Sequence, residues 1–219
     1  MARILTPSLP GFTVVPANEA SWEDLQAVLG TKGDPARCQC QRYKLTWHEY
    51  HDMTREERSF LLREETDCGN PKAECTSGIV AYLDGVPVGW CNIEPRPNFT
   101  RMRNMPTPWA GRSEDRDDPT VWVVACFVIR LGHRRKGLSR ALAAASIDFA
   151  RSRGARALEA YPMATQEGVE ITWGELHVGS RNSFAAAGFK ELTHPSKRRY
   201  VMRVDFEHTS PEEPRPAIK

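Results

Sequence analysis

The sequence predicts an α/β fold with helices flanking a mixed sheet, and three features carry that expectation. The unbroken apolar run 121–129 (VWVVACFVI) reads as a strand covered on both faces. It leads through a basic, glycine-containing turn into a helix of small residues and then a second strand, 156–162, which makes a right-handed crossover unit with a parallel pair. Upstream, SGIVAYLDGVPVGWCNIEP places two β-branched runs around Asp84-Gly85, the signature of an antiparallel hairpin.

The elements follow in chain order. FTVVPA reads as a first strand, and SWEDLQAVL as a short helix with Ser21 as its cap. Thr54-Arg55-Glu56-Glu57 is a capping box that opens a helix carrying Phe60, Leu61 and Leu62. The hairpin comes next, followed by residues 95–120, rich in Pro, Arg and Asn and without hydrophobic period. That segment reads as a surface excursion near a site or a subunit contact. The crossover helix spans 137–153 and stops at Gly154. The 219 residues read as one domain over 1–206, with a proline-rich and charged flexible tail at 207–219.

Composition narrows the function classes. A net charge of +2 gives no electrostatic case for a nucleic-acid partner. No apolar run is long enough for a bilayer, and MARILTPSLPGF lacks a secretory core, so the expectation is a cytoplasmic protein with no membrane partner. The six cysteines are then expected to be reduced. Cys38, Cys40, His48 and His51 supply zinc-ligand chemistry, but Cys-x-Cys followed by His-x-x-His is not a usual zinc spacing. The favoured reading is a reduced, partly buried loop lining a substrate site, with no metal.

The chemistry concentrates in the turn after strand 121–129. Arg134, Arg135 and Lys136 stand beside a helix start whose first amides lack intrahelical partners, and Gly137 lets backbone approach a bulky anion. A phosphate or pyrophosphate suits that arrangement. The spacing matches neither a Walker loop nor a dinucleotide fingerprint.

The run Arg134-Arg135-Lys136-Gly137-Leu138-Ser139 does resemble the acyl-CoA-binding signature of the GNAT N-acetyltransferases, R/Q-x-x-G-x-G/A. The strand before it, the long helix and strand RALEAYPM after it, and SRNSFAAAGFKE further on resemble the same family over roughly residues 12–206. The resemblance implies a mostly antiparallel sheet splayed between its fourth and fifth strands, with acetyl-CoA as acetyl donor. It implies that residues 134–139, with Arg140, hold the pyrophosphate while the backbone of Phe127, Val128 and Ile129 meets pantetheine. The reaction implied is acetyl transfer to a primary amine, carried by a small molecule or a peptide, by direct attack in a ternary complex. Homodimers are common in the family.

Two family positions depart from the pattern. The fourth strand is apolar at Val123, where some members carry a glutamate base, and Phe184 stands where many carry a tyrosine acid. Glu94, ending the third strand, is the first substitute for the base, though a solvated strand-end carboxylate accounts for it equally. Ser183 is a candidate for protonating the thiolate, with a plain helix-surface serine as the blander account. His177 is a loop histidine whose ordinary pKa suits proton transfer. Trp90, Glu159 and Tyr161 are candidate acceptor-site residues, although strand aromatics are more often core. The missing glutamate and tyrosine also admit a non-catalytic acyl-CoA-binding or sensing module, and the Cys/His segment admits a metal-binding interaction protein.

Overall fold

The computed structural model describes residues 9–164 and 175–206. Seven strands form one sheet in the order β1-β2-β3-β4-β5-β7-β6: β1 (Phe12–Pro16), β2 (Gly78–Leu83), β3 (Val86–Pro95), β4 (Val121–Ile129), β5 (Ala157–Ala160), β6 (Lys190–Ser196) and β7 (Arg199–Asp205). Every neighbouring pair is antiparallel except β4 and β5, which run parallel because a helix crosses between them. The expected tail at 207–219 lies outside the described residues.

Local signals set most of the helices. Ser21 accepts the Asp24 amide at 3.0 Å and starts α1 (Trp22–Leu29). Two further short helices, α2 (Gly33–Cys38) and α3 (Trp47–Asp52), precede α4 (Arg55–Thr66), whose Thr54/Glu57 capping box forms as expected. The Asp84-Gly85 turn has both residues at positive φ, the geometry that matches hairpin twist. The crossover helix α5 (Leu138–Ser152) begins at Gly137 and lays Leu138, Leu142, Ala145 and Phe149 on one face of the sheet.

The segment 95–120 departs from the expected surface excursion. It winds into two single turns, Thr100–Arg103 and Pro106–Trp109, and buries Phe99 and Met102 against the sheet face opposite α5, with Trp109 also buried and its Nε1 donating to the Met102 carbonyl at 3.1 Å. The guanidiniums of Arg96, Arg112 and Arg116 lie 5.0–5.2 Å from the Trp109 ring, so arginine stacking substitutes for the missing hydrophobic period.

Two irregularities in β4 open the sheet and set which way its side chains face. First, its ladder with β5 pairs Val121–Val124 with Ala157–Ala160 and stops, while β4 runs on to Ile129 still paired with β3. Among the described residues no strand pairs with that edge beyond Val124, so the sheet opens there. Second, the β3–β4 register slips between Asn92 and Ile93, with Asn92 opposite Cys126 and Ile93 opposite Val124. Ala125 is the extra residue of a bulge. Val124, Phe127 and Ile129 pack with α5, whereas Val123 and Ala125 pack with Phe99, Met102 and Tyr161 on the other face.

Candidate active site

The opening has a cavity on each face. On the α5 side a cleft of about 250 Å³ is lined by Ile129, Arg134, Arg135, Gly137, Leu138, Ser139, Arg140, Asn182, Ser183 and Ala186. Gly137 sits at φ +79°, and a Cβ built there would meet nothing within 4 Å. The glycine therefore serves the left-handed turn and leaves the cleft floor open. The amides of Leu138 and Ser139 begin α5 without partners further back in the helix. Arginines, free amides and open space make this cleft a fit for a pyrophosphate.

Lys136 is not among the lining residues of the cleft. Val128 lines an adjoining groove of about 740 Å³ beneath α1, and Arg134 borders both spaces. Phe127 instead packs its ring 5.2 Å from Phe184, which in turn stands 4.9 Å from Phe189. Phe184 belongs to the seven-residue helix α6 (Arg181–Ala187) and is fully buried. Gly179 makes that packing feasible, since a Cβ there would come within 2.6 Å of the Phe184 ring. Ser183 lies one residue away with its Oγ 2.9 Å from Ser180 Oγ, in the anion cleft rather than the gap between strands. That position suits a cofactor contact better than proton transfer.

Across the sheet a second cavity, about 140 Å³, is lined by Tyr43, Met102, Met105, Thr107, Pro108, Ala125, Tyr161, Val178 and Arg199. The bulged Ala125 brings β4 to its wall, and the 95–120 segment supplies four residues. Arg199 Nη1 donates to the Tyr161 carbonyl at 3.3 Å. The Tyr43 hydroxyl meets His177 Nε2 at 3.1 Å, with the two rings stacked. Burial pushes the Tyr43 phenol above its ordinary pKa, so it is protonated at neutral pH.

Of the three residues expected at the acceptor site, only Tyr161 reaches this cavity. Trp90 is fully buried on the sheet face beneath α1, its Nε1 donating to Cys40 Sγ at 3.1 Å. Glu159 is fully buried as well, in an ion network: Oε1 lies 2.5 Å from Arg112, 3.2 Å from Arg203 and 3.4 Å from Arg96, and Oε2 accepts the Tyr161 hydroxyl at 2.7 Å. A carboxylate enclosed by three guanidiniums orients the floor beneath Tyr161 and offers nothing to a ligand. Glu94 is bound by Lys44 at 2.5 Å, Asn92 at 3.0 Å and Asn98 at 2.9 Å, and does not line the cavity. Period-two spacing places Glu159 and Tyr161 on one face correctly; the arginines that claim Glu159 come from distant segments.

The Cys38/Cys40 loop is buried with free thiols. Its Cys40 thiol is held well above its ordinary pKa by the neighbouring Cys126 and by burial. Among the described residues no group of three or more His, Cys, Asp and Glu side chains converges. Nor is any described helix long and apolar enough to cross a membrane.

An open sheet with one parallel pair, a basic turn at the helix start beside the opening and a small cavity across the strands together define an acyl-CoA-dependent transferase architecture. The family model described as "Acetyltransferase (GNAT) family" matches residues 41–170, more than half of the chain, and the chain belongs to that family. Among solved structures, yncA of Salmonella typhimurium, described as a putative acetyltransferase and solved with its cofactor acetyl-CoA, superposes with a TM-score of 0.52 at 17% identity. That likeness covers 93% of this chain and 99% of the other. A further structure described as an acetyltransferase gives a TM-score of 0.51 at 18% identity, covering 89% and 100% respectively. At such identities the likeness concerns the fold alone. No curated protein sequence matches the chain.

Proposed function

We propose that the protein transfers the acetyl group of acetyl-CoA to a primary amine by direct attack within a ternary complex, using residues 1–206 as one catalytic domain. The observation that carries this reading is the end of β4–β5 pairing at Val124 and Ala160, with the basic cleft on one face and the small cavity on the other. Acetyl-CoA supplies the acetyl group and the thiol leaving group. Arg134, Arg135 and Arg140, with the amides of Leu138 and Ser139, hold the pyrophosphate. The free edge of β4 over Phe127–Ile129 offers backbone partners to the pantetheine arm.

The acceptor nitrogen attacks only when uncharged, so a group near the second cavity must take its proton. The Tyr43–His177 pair fits that task better than Glu94: its hydroxyl belongs to a cavity-lining residue and has a titratable partner in hydrogen-bond reach. Tyr43 accepts the amine proton as its own moves to His177 Nε2. Fixed positioning of both reactants supplies much of the remaining acceleration, and the site forgoes the tyrosine hydroxyl that Phe184 replaces.

The test is thiol release by the purified protein from acetyl-CoA across a panel of primary amines. Amine-dependent release supports the transferase. Saturable acetyl-CoA binding without amine-dependent release would replace it with a binding or sensing module.

A further inference from the structure

We infer that the acceptor is a small amine bearing a carboxylate, of the size and chemistry of an α-amino acid, with Arg199 as the residue that reads the carboxylate. This rests on the acetyltransferase reading above and adds the substrate class.

The charge of the second cavity is the starting point. Among the described residues its lining includes one cation, Arg199, and no Asp or Glu. The buried carboxylate of Glu159 sits below Tyr161 and is already matched by Arg96, Arg112 and Arg203. Among the described residues Arg199 forms no ion pair, and its Nη1 donates to the Tyr161 carbonyl. A simple alkylamine or polyamine would bring its cation beside an unneutralised guanidinium. An acceptor that carries its own carboxylate turns that repulsion into a charge-assisted hydrogen bond, and the planar guanidinium fork matches carboxylate geometry.

Position and size agree. Arg199 is anchored by backbone pairing of its strand start to the chain after β5: Tyr200 donates to the Pro162 carbonyl at 3.1 Å and Ala164 to the Arg198 carbonyl at 2.9 Å. Its side chain is thereby held at the cavity from a fixed base. The other walls are Met102, Met105, Pro108 and Val178, which suit a short apolar side chain. A cavity of about 140 Å³ holds roughly five water-sized groups at ~30 Å³ each, which suits an alanine or valine.

The reaction balances without a further reagent. The amino nitrogen forms a bond to the acetyl carbonyl carbon and the thioester carbon–sulfur bond breaks. The products are the N-acetyl amino acid and CoA thiol, with one proton released when the acceptor starts as an ammonium.

The experiment compares kcat/KM, by thiol release, for alanine, valine and threonine against their amides, in wild type, Arg199→Met and Arg199→Lys. Acetyl-CoA affinity is measured by calorimetry on each. The acids are expected to exceed the amides by about 10–100-fold, mostly through KM, as for a charged hydrogen bond. That ratio should fall to about one in Arg199→Met and lie between in Arg199→Lys, with acetyl-CoA affinity unchanged. Since the readout is a ratio within one protein, a general loss of activity does not mimic it. A protein that binds acetyl-CoA but acetylates amides as well as acids, turns over none of the acids, or keeps its preference in Arg199→Met overturns this inference and leaves the donor reading standing. Absence of acetyl-CoA binding in folded wild type overturns both.

Discussion

Glu159→Gln separates a structural carboxylate from a substrate contact. In the native protein the Glu159 carboxylate has no exposed surface and is shared by Arg112, Arg203 and Arg96 at 2.5, 3.2 and 3.4 Å. The substitution keeps shape and removes the charge, leaving three guanidiniums that cannot deprotonate. Breaking a buried ion pair by removing one partner costs about 3–5 kcal/mol. Glu114 remains within 3.0–3.6 Å of the same arginines and is partly exposed, so it offsets some of that loss. The lower end, ~3 kcal/mol, is the expectation, and with a urea slope of roughly 2–3 kcal/mol/M it lowers the midpoint by about 1–1.5 M. Urea unfolding followed by circular dichroism reads the shift. An unchanged midpoint together with a raised acceptor KM would refute the reasoning and restore Glu159 as a ligand contact.

Three further outcomes are expected. Tyr43→Phe should lower kcat by about 10²-fold or more while acetyl-CoA affinity stays constant by calorimetry, because the hydroxyl partner of His177 is lost outside the anion cleft. Gly137→Ala should lose about 1 kcal/mol, or roughly 2–4 °C in a thermal melt, from the left-handed φ alone, since its Cβ meets nothing. Asp118 is held below the usual carboxylate range, first by the Thr120 hydroxyl and further by Arg156. A depressed folded pKa stabilises above the unfolded value of ~3.9 and is lost as pH falls toward the folded one. Asp118→Asn should therefore melt lower than wild type at pH 7, with the difference narrowing by pH 3.

What the sequence made legible is what local chemistry decides. The apolar run of β4, the Thr54/Glu57 capping box, the Ser21 cap, the Asp84-Gly85 turn and the glycine that opens α5 each act within a few residues, and each takes its expected form. The basic cluster that borders the cleft at the start of α5 was legible for the same reason, since Arg134 to Arg140 are contiguous. The second cavity was not, because residues 43, 102, 125, 161 and 199 converge only through the sheet. Arg199 and Tyr43 carry no sequence signal beyond residue type. Glu159 read as an acceptor-site residue because the arginines that neutralise it lie some 45 to 65 positions away. Trp90 illustrates the opposite error: an aromatic beside a suspected pocket was core, its indole nitrogen satisfied by a thiol.

Calorimetric titration of wild type and Gly137→Glu with acetyl-CoA and with CoA tests most directly whether the cleft at the start of α5 holds the pyrophosphate of acetyl-CoA. The new carboxylate has open space to occupy among Arg134, Arg135 and Arg140. Like charges ~6 Å apart at an effective dielectric of ~20 repel by roughly 3 kcal/mol, a loss of about 100-fold in affinity. A pyrophosphate held there gives micromolar-range binding of both ligands to wild type and a loss of that size in a variant that remains folded by circular dichroism. Equal affinity in the two proteins, or no binding to folded wild type, would contradict it.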